Sequence, residues 1–156
     1  MILTATELAA VQRHAVEEYP RESCGVIVAR DGERALLRCR NVQDDLHARD
    51  PERYPRDART AYYIDPADLL RIGRLEADGY TIAVIYHSHI DTGSYFSETD
   101  KRNALMADEP SYPEARYVVV SVHAGRLVDA SAYAWNGERR DFLPVDLQVD
   151  DMRVTR

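Results

Sequence analysis

Apolar residues along this chain switch between a helical and a strand period, and the switches mark its elements. Thr4 and Glu7 have capping-box spacing. They open a helix with Leu8, Val11, Ala15 and Tyr19 on one face. Arg21 to Gly25 leads into a strand, Val26 to Arg30, and Asp31-Gly32 is a type I′ hairpin signal. A second strand follows from about Glu33 to Arg40. Both strands are nearly continuous in apolar residues at their centres, which predicts a hairpin covered on both faces. The two-residue turn sets Cys24 opposite Cys39.

Asn41 to Thr60 breaks the pattern. It is polar and charged, contains Pro51 and Pro55, and reads as a long loop with no evident core positions. It joins the strand that begins near Glu22 to the helix that precedes the histidines. It is therefore expected beside that site and in contact with a partner, and its shortening is expected to leave stability nearly unchanged. Tyr62-Tyr63-Ile64 is a short strand candidate. Asp65 then caps a helix with Pro66 at its first position, ending at Gly79, with Leu69, Leu70, Ile72 and Leu75 as its core face. A strand, Tyr80 to Tyr86, follows. Ser97 starts a helix expected to run to about Ala107, and Glu109 to Pro113 is a loop. Arg116 to Val122 and Arg126 to Trp135 are two more strands, turning at Ala124-Gly125. The alternation predicts an α/β fold, a mixed sheet with helices on its faces. Residues 1–140 are expected to form one domain. Residues 141–156 are expected to form a tail with one strand and then a disordered end.

Composition narrows the function classes. The chain has 156 residues, 45% of them hydrophobic and 30% charged, the balance of one soluble domain. No apolar run approaches the length that spans a bilayer, and the N-terminus lacks a signal-peptide pattern, so no membrane association and a cytoplasmic location are expected. The net charge is -7 and no basic patch stands out, which argues against nucleic acid as a partner. Cys24 and Cys39 belong to no Cys-x-x-Cys pair, so a structural zinc site is not expected, and in a cytosolic chain two buried thiols are favoured over a disulfide.

The chemistry concentrates in one segment. His87, Ser88 and His89 follow an apolar run, Ser97 comes after seven intervening residues, and Asp100 after two more. In extended backbone, residues two apart share a face. His87 and His89 therefore converge, with Ser88 pointing away. A loop containing Gly93 can bring Asp100, in the first helical turn, to meet them. Two imidazoles and a carboxylate suit zinc, and they leave one position open, as in catalytic sites. Ser97 with Asp100 equally has the spacing of a variant capping box, and two histidines after a strand also occur as a surface accident. These residues alone leave both readings standing.

Upstream, Glu22-Ser-Cys-Gly25 opens a strand. Together, Glu22, His87-Ser-His89, Ser97 and Asp100 resemble the JAMM motif of the JAMM/MPN metalloprotease family. The resemblance covers about Glu7 to Trp135. It implies a cytidine-deaminase-like α/β fold and a zinc peptidase with one Zn2+ per chain. His87, His89 and Asp100 would be its ligands, Glu22 its general base and then acid, and Ser97 its support for the water and the oxyanion. Family members cleave after the C-terminal glycine of ubiquitin or ubiquitin-like proteins. Prokaryotic relatives point to a small sulfur-carrier protein as the partner, from whose tail an amino acid is released or which is trimmed. Many relatives have proline after the second histidine, whereas this chain has Ile90-Asp91, which changes the loop and the groove. The competing reading is a non-catalytic scaffold or interaction module. A nucleoside deaminase would need His-x-Glu and Pro-Cys-x-x-Cys, which are missing here. His14, His47 and His123 are read as surface or turn residues. Tyr95 and Phe96 either line the substrate groove or pack beneath it.

Overall fold

The computed structural model describes residues 1–150. In chain order its elements are β1 (Leu3–Thr4), α1 (Ala5–Glu18), β2 (Cys24–Arg30), β3 (Glu33–Cys39), α2 (Gln43–Arg49) and α3 (Pro66–Ala77). There follow β4 (Thr81–Ile90), α4 (Glu98–Asn103), β5 (Leu105–Met106), β6 (Glu109–Pro110), β7 (Arg116–His123), β8 (Arg126–Asn136), β9 (Asp141–Val145) and β10 (Val149–Asp150). Among the described residues the main sheet runs β3-β2-β4-β7-β8-β9. Within that sheet only β4 and β7 pair in parallel; the other neighbours are antiparallel. The sheet is thus mixed, as the alternation of elements predicts.

The strand period sorts side chains onto two faces. Ile27, Val84, Tyr86, Val118 and Val120 meet Val11 and Ala15 of α1. Val26, Val28, Ile85 and Val119 meet Ile72 of α3 on the other face. Helix α1 starts at the expected capping box, with both Thr4–Glu7 contacts made. Its third buried residue corrects the sequence reading. His14 is buried, and its Nδ1 lies 2.7 Å from the Tyr86 hydroxyl. The histidine sits on the buried stripe with Val11 and Ala15, so it is a core residue rather than a surface one.

The hairpin turn has the predicted conformation, with φ of 52° at Asp31 and 82° at Gly32, and Cys24 pairs with Cys39. Both cysteines are buried free thiols. The hairpin is covered on both faces, fully along β2 and thinly along the edge strand β3, where Leu37 packs on the α3 side and Leu36 on the α1 side while Glu33, Ala35 and Arg38 are exposed.

Four further elements differ from expectation. Helix α2 occupies the supposed loop, and Val42, Gln43 and Ala58 of that segment are buried. Tyr62 to Ile64 contributes only an isolated bridge, Asn41 to Ile64. On α3, Leu69 and Leu70 are exposed; only the narrower stripe of Ile72, with Leu75 beside it, reaches the sheet. Helix α4 stops at Asn103, not Ala107. The chain turns there into the β5–β6 ribbon, whose tight turn holds Ala107 and Asp108 at φ of 50° and 64°.

Residues 141–150, expected to begin a tail with one strand, form two. β9 pairs along β8 from Asp141 and buries Phe142, and β10 pairs with β1. The disordered end expected of the tail falls partly on residues 151–156, which lie outside the described residues. No described helix is long and apolar enough to cross a membrane.

Candidate metal centre and cleft

β4 continues past the apolar run to Ile90, so both histidines lie within the strand rather than after it. Ile85, His87 and His89 share the α3 face, while Ser88 points the other way and accepts a hydrogen bond from Ser23 N–H at 2.8 Å. Helix α4 brings Asp100 to the histidines. His87 Nε2 and His89 Nε2 are 3.2 Å apart, and Asp100 Oδ2 is 3.1 Å and 3.2 Å from them. All three residues are buried, and their atoms form a cluster able to hold a metal ion.

The ring orientations follow from the outer contacts. His89 Nδ1 donates to the Gly93 carbonyl at 2.8 Å, which leaves Nε2 bare and turned to the cluster. His87 has no such anchor: its Nδ1 is buried without a partner among the described residues. Its ring is held instead by stacking on Tyr62, with centroids 4.6 Å apart.

Asp100 does two things at once. Ser97 is the N-cap of α4 and its hydroxyl accepts from Asp100 N–H, while Asp100 Oδ2 accepts from Ser97 N–H at 3.0 Å. The capping box and the ligand cluster are therefore one arrangement. Burial acts to raise the pKa of the Asp100 carboxyl, and the neighbouring His87 charge opposes it. Hydrogen bonds from both histidines and from Ser97 N–H act in the same sense and hold it well below the usual carboxylate range.

Glu22 sits just before β2. Cys24 pairs with His87, and continuing that antiparallel register sets Glu22 opposite His89. Its backbone is tied down from the 41–60 segment. Glu22 N–H donates to the Ala58 carbonyl at 2.7 Å, and Asn41 donates to the Glu22 carbonyl at 2.9 Å. The side chain is only 4% exposed, and Oε1 has no hydrogen-bond partner among the described residues. Burial pushes its pKa well above the ordinary value; the nearby Asp100 carboxylate adds to this and Arg56 opposes it. Glu22, His89, Ser97, Tyr95, Arg56 and Arg59 line a cleft of about 70 Å³.

Tyr95 and Phe96 part company. Tyr95 is exposed on the cleft with its ring against His89, whereas Phe96 is buried among Tyr117, Tyr133 and Phe142 beneath the centre. His47 contacts the Tyr54 carbonyl inside its own segment, and His123 contacts the Thr92 carbonyl. Three residues escaped the sequence reading: Tyr62, Arg56 and the structural part played by Asp91. Asp91 has φ of 54°. It accepts hydrogen bonds from Tyr19, Ala124 N–H and Arg59, and so ties the end of β4 to three separate segments.

Comparison with known proteins agrees with this geometry. Residues 4–136 match the family model described as prokaryotic homologs of the JAB domain. The CysO-cysteine peptidases of Mycobacterium tuberculosis and Mycobacterium bovis are 32% identical over 122 residues, which covers 78% of this chain and 73% of those proteins. Tail tip assembly protein K of Escherichia phage N15 is 30% identical over 92 residues, 59% of this chain and 31% of that protein. Among solved structures, a Desulfitobacterium hafniense protein superposes with a TM-score of 0.66 at 18% identity, over 96% of this chain and 92% of its own. A Salinibacter ruber protein gives a TM-score of 0.60 at 27% identity, over 99% and 93%.

Proposed function

The chain belongs to the family of prokaryotic homologs of the JAB domain, and from that premise we propose that it is a zinc-dependent peptidase. It hydrolyses the bond after the C-terminal glycine of a ubiquitin-like or sulfur-carrier protein. The observation that carries this reading is the convergence of His87, His89 and Asp100 beside the buried, unpartnered carboxylate of Glu22.

The donor set fits zinc. A tetrahedral ion about 2.0–2.1 Å from its ligands sets them roughly 3.3 Å apart. The three donor atoms here are separated by 3.1 Å to 3.2 Å. When bound, zinc supplies Lewis acidity toward water and toward the scissile carbonyl.

The chain's own residues supply the proton handling. Glu22, held protonatable by burial, takes a proton from the attacking water and returns it to the leaving nitrogen. Water adds across the carbon–nitrogen bond: hydroxyl to the glycine carbonyl carbon, hydrogen to the amine. The Ser97 oxygen already accepts from Asp100 N–H, so its own hydrogen is available to donate into the cleft, to water or to the developing oxyanion. The mycobacterial relatives bear the name CysO-cysteine peptidase. That name supports a carrier protein joined to an amino acid as the substrate class.

The test is direct. Reconstituted protein is expected to hold one zinc per chain by elemental analysis. It is also expected to convert a carrier ending Gly-Gly-Xaa into one ending Gly-Gly, read by mass spectrometry. Absence of zinc, or zinc binding with no cleavage of any carrier conjugate, sinks the peptidase reading and favours the scaffold.

A further inference from the structure

The chain carries a net charge of -7, and several of its arginines are spent on internal ion pairs. Arg59 in the cleft is one of these, held by Asp91 at 2.8 Å. Arg56, which shares the cleft with Glu22, is different. It is exposed and makes no ion pair among the described residues. It lines the same cleft as Glu22. Arg56 also lines a second cavity of about 280 Å³, together with Arg53 and Arg102. No acidic side chain lines that cavity. The other two arginines are likewise without carboxylate partners among the described residues: Arg53 lies over the Tyr54 ring and Arg102 donates to the Thr99 hydroxyl. Three arginines thus line a space of roughly amino-acid size, and Arg56 borders both it and the cleft.

We propose that Arg56 anchors the free α-carboxylate of the leaving residue, so that the protein releases a single C-terminal amino acid rather than the lysine of an isopeptide. This rests on the peptidase reading above. Glu22 marks the position of the leaving nitrogen, since it must hand that atom a proton. In a terminal amino acid the carboxylate is two bonds from that nitrogen. Arg56 is the arginine without an ion pair, among the described residues, that lines the cleft with Glu22, and its planar fork matches a carboxylate. An isopeptide lysine has only methylenes at the same distance and would leave the guanidinium unanswered.

The test uses two synthetic peptides that end Gly-Gly-Ala, one with a free carboxylate and one with a carboxamide. Binding to the zinc-loaded Glu22→Gln protein is measured by calorimetry, and cleavage by the zinc-loaded parent protein by mass spectrometry. The acid is expected to bind at least about tenfold more tightly than the amide, the scale of a charge-assisted pair. Arg56→Ala is expected to abolish that preference, and Arg56→Lys to retain part of it. Arg56 is exposed, so these variants keep the fold. Equal affinities for acid and amide, or a preference that survives Arg56→Ala, overturn the proposal. So does an Arg56→Ala variant that loses affinity for a carrier protein equally with either ending, because the arginines then serve the carrier's surface. Cleavage of neither peptide with the binding preference intact rejects the peptidase reading while the carboxylate anchor stands.

Discussion

Replacing Glu22 by Gln should make the protein more stable and inactive at once. The carboxylate is 4% exposed and one of its oxygens has no partner among the described residues. A buried unsatisfied polar group costs about 1–3 kcal/mol, and a charged one more. The amide has nearly the same shape and carries no charge, so most of that cost disappears. For a chain of this size each kcal/mol moves the unfolding midpoint by about 2–4 °C, so the metal-free variant is expected to melt about 2–12 °C higher at pH 7. The pH dependence distinguishes this cause from a general packing gain. A carboxyl whose folded-state value lies above its ordinary 4.5 holds its proton more tightly in the folded state. Its contribution is fully present below about pH 4.5 and is lost as pH rises through the folded value. Glutamine does not titrate. The stability gain should therefore be small near pH 4, grow as pH rises, and then level off.

The assay is thermal unfolding of parent and variant in chelator from pH 4 to pH 8, with hydrolysis and zinc content measured on reloaded samples. Loss of a general acid–base group predicts a fall in rate of roughly 10²–10⁴ with zinc retained. A variant that is less stable at pH 7, or whose gain is the same at every pH, would refute the argument that the parent tolerates a buried anion for function. Near-normal hydrolysis would remove Glu22 from the mechanism.

Asp100→Ala should lose most of the zinc and also the capping contact to Ser97 N–H, at a cost of about 0.5–2 kcal/mol, seen as faster hydrogen exchange at Ser97. Asp100→Asn keeps an accepting oxygen, so it should lose zinc while Ser97 stays protected; loss of protection in both variants would show that charge, not capping, orders α4. Gly25→Ala should destabilise by about 1–3 kcal/mol in denaturant titration. Its Cβ would lie 2.4 Å from the ring of Tyr86, which is fully buried and held by His14, so an unchanged midpoint would mean the ring moves freely. Excising residues 44–57 should lower the melting temperature and abolish cleavage of peptide and protein substrates alike, because the buried Ala58 accepts from Glu22 N–H. Full activity on a short peptide after that excision would show the segment to be dispensable to the site.

That last expectation reverses the one drawn from sequence, and the reason is physical. The 41–60 segment is rich in charge and has no periodic apolar stripe, so nothing local marks α2. Its anchoring is made of polar contacts: Gln43 to the Arg56 carbonyl, Ala58 N–H to Asp44, Asn41 to the Glu22 carbonyl. Hydrogen bonds between distant residues leave no trace in a hydrophobic pattern. The same holds for His14, whose burial is settled by a partner 72 positions away. Arg56 shows the limit most clearly, since one arginine among nineteen gains meaning only from what its neighbours leave unpaired.

The histidine half of the centre was legible because short-range geometry fixes it: a period of two puts His87 and His89 on one face. The pairing of β2 with β4, which sets Cys24 against His87 and hence Glu22 opposite His89, joins strands far apart in sequence, and Glu22 was reached only through the motif. The meaning of Ser97 and Asp100 stayed ambiguous, because a capping box and a ligand pair use the same spacing. The alternative was a false one. The oxygen that accepts from Ser97 N–H is the oxygen that faces both histidines. A carboxylate on a six-residue helix at the edge of the fold would otherwise be free to rotate about its side-chain bonds. Capping fixes its rotamer before any ion arrives, and the ordering cost of the third ligand is met by helix formation. Ser97 therefore holds Asp100 twice, through the hydroxyl that accepts from its N–H and through the backbone amide that aims its carboxylate.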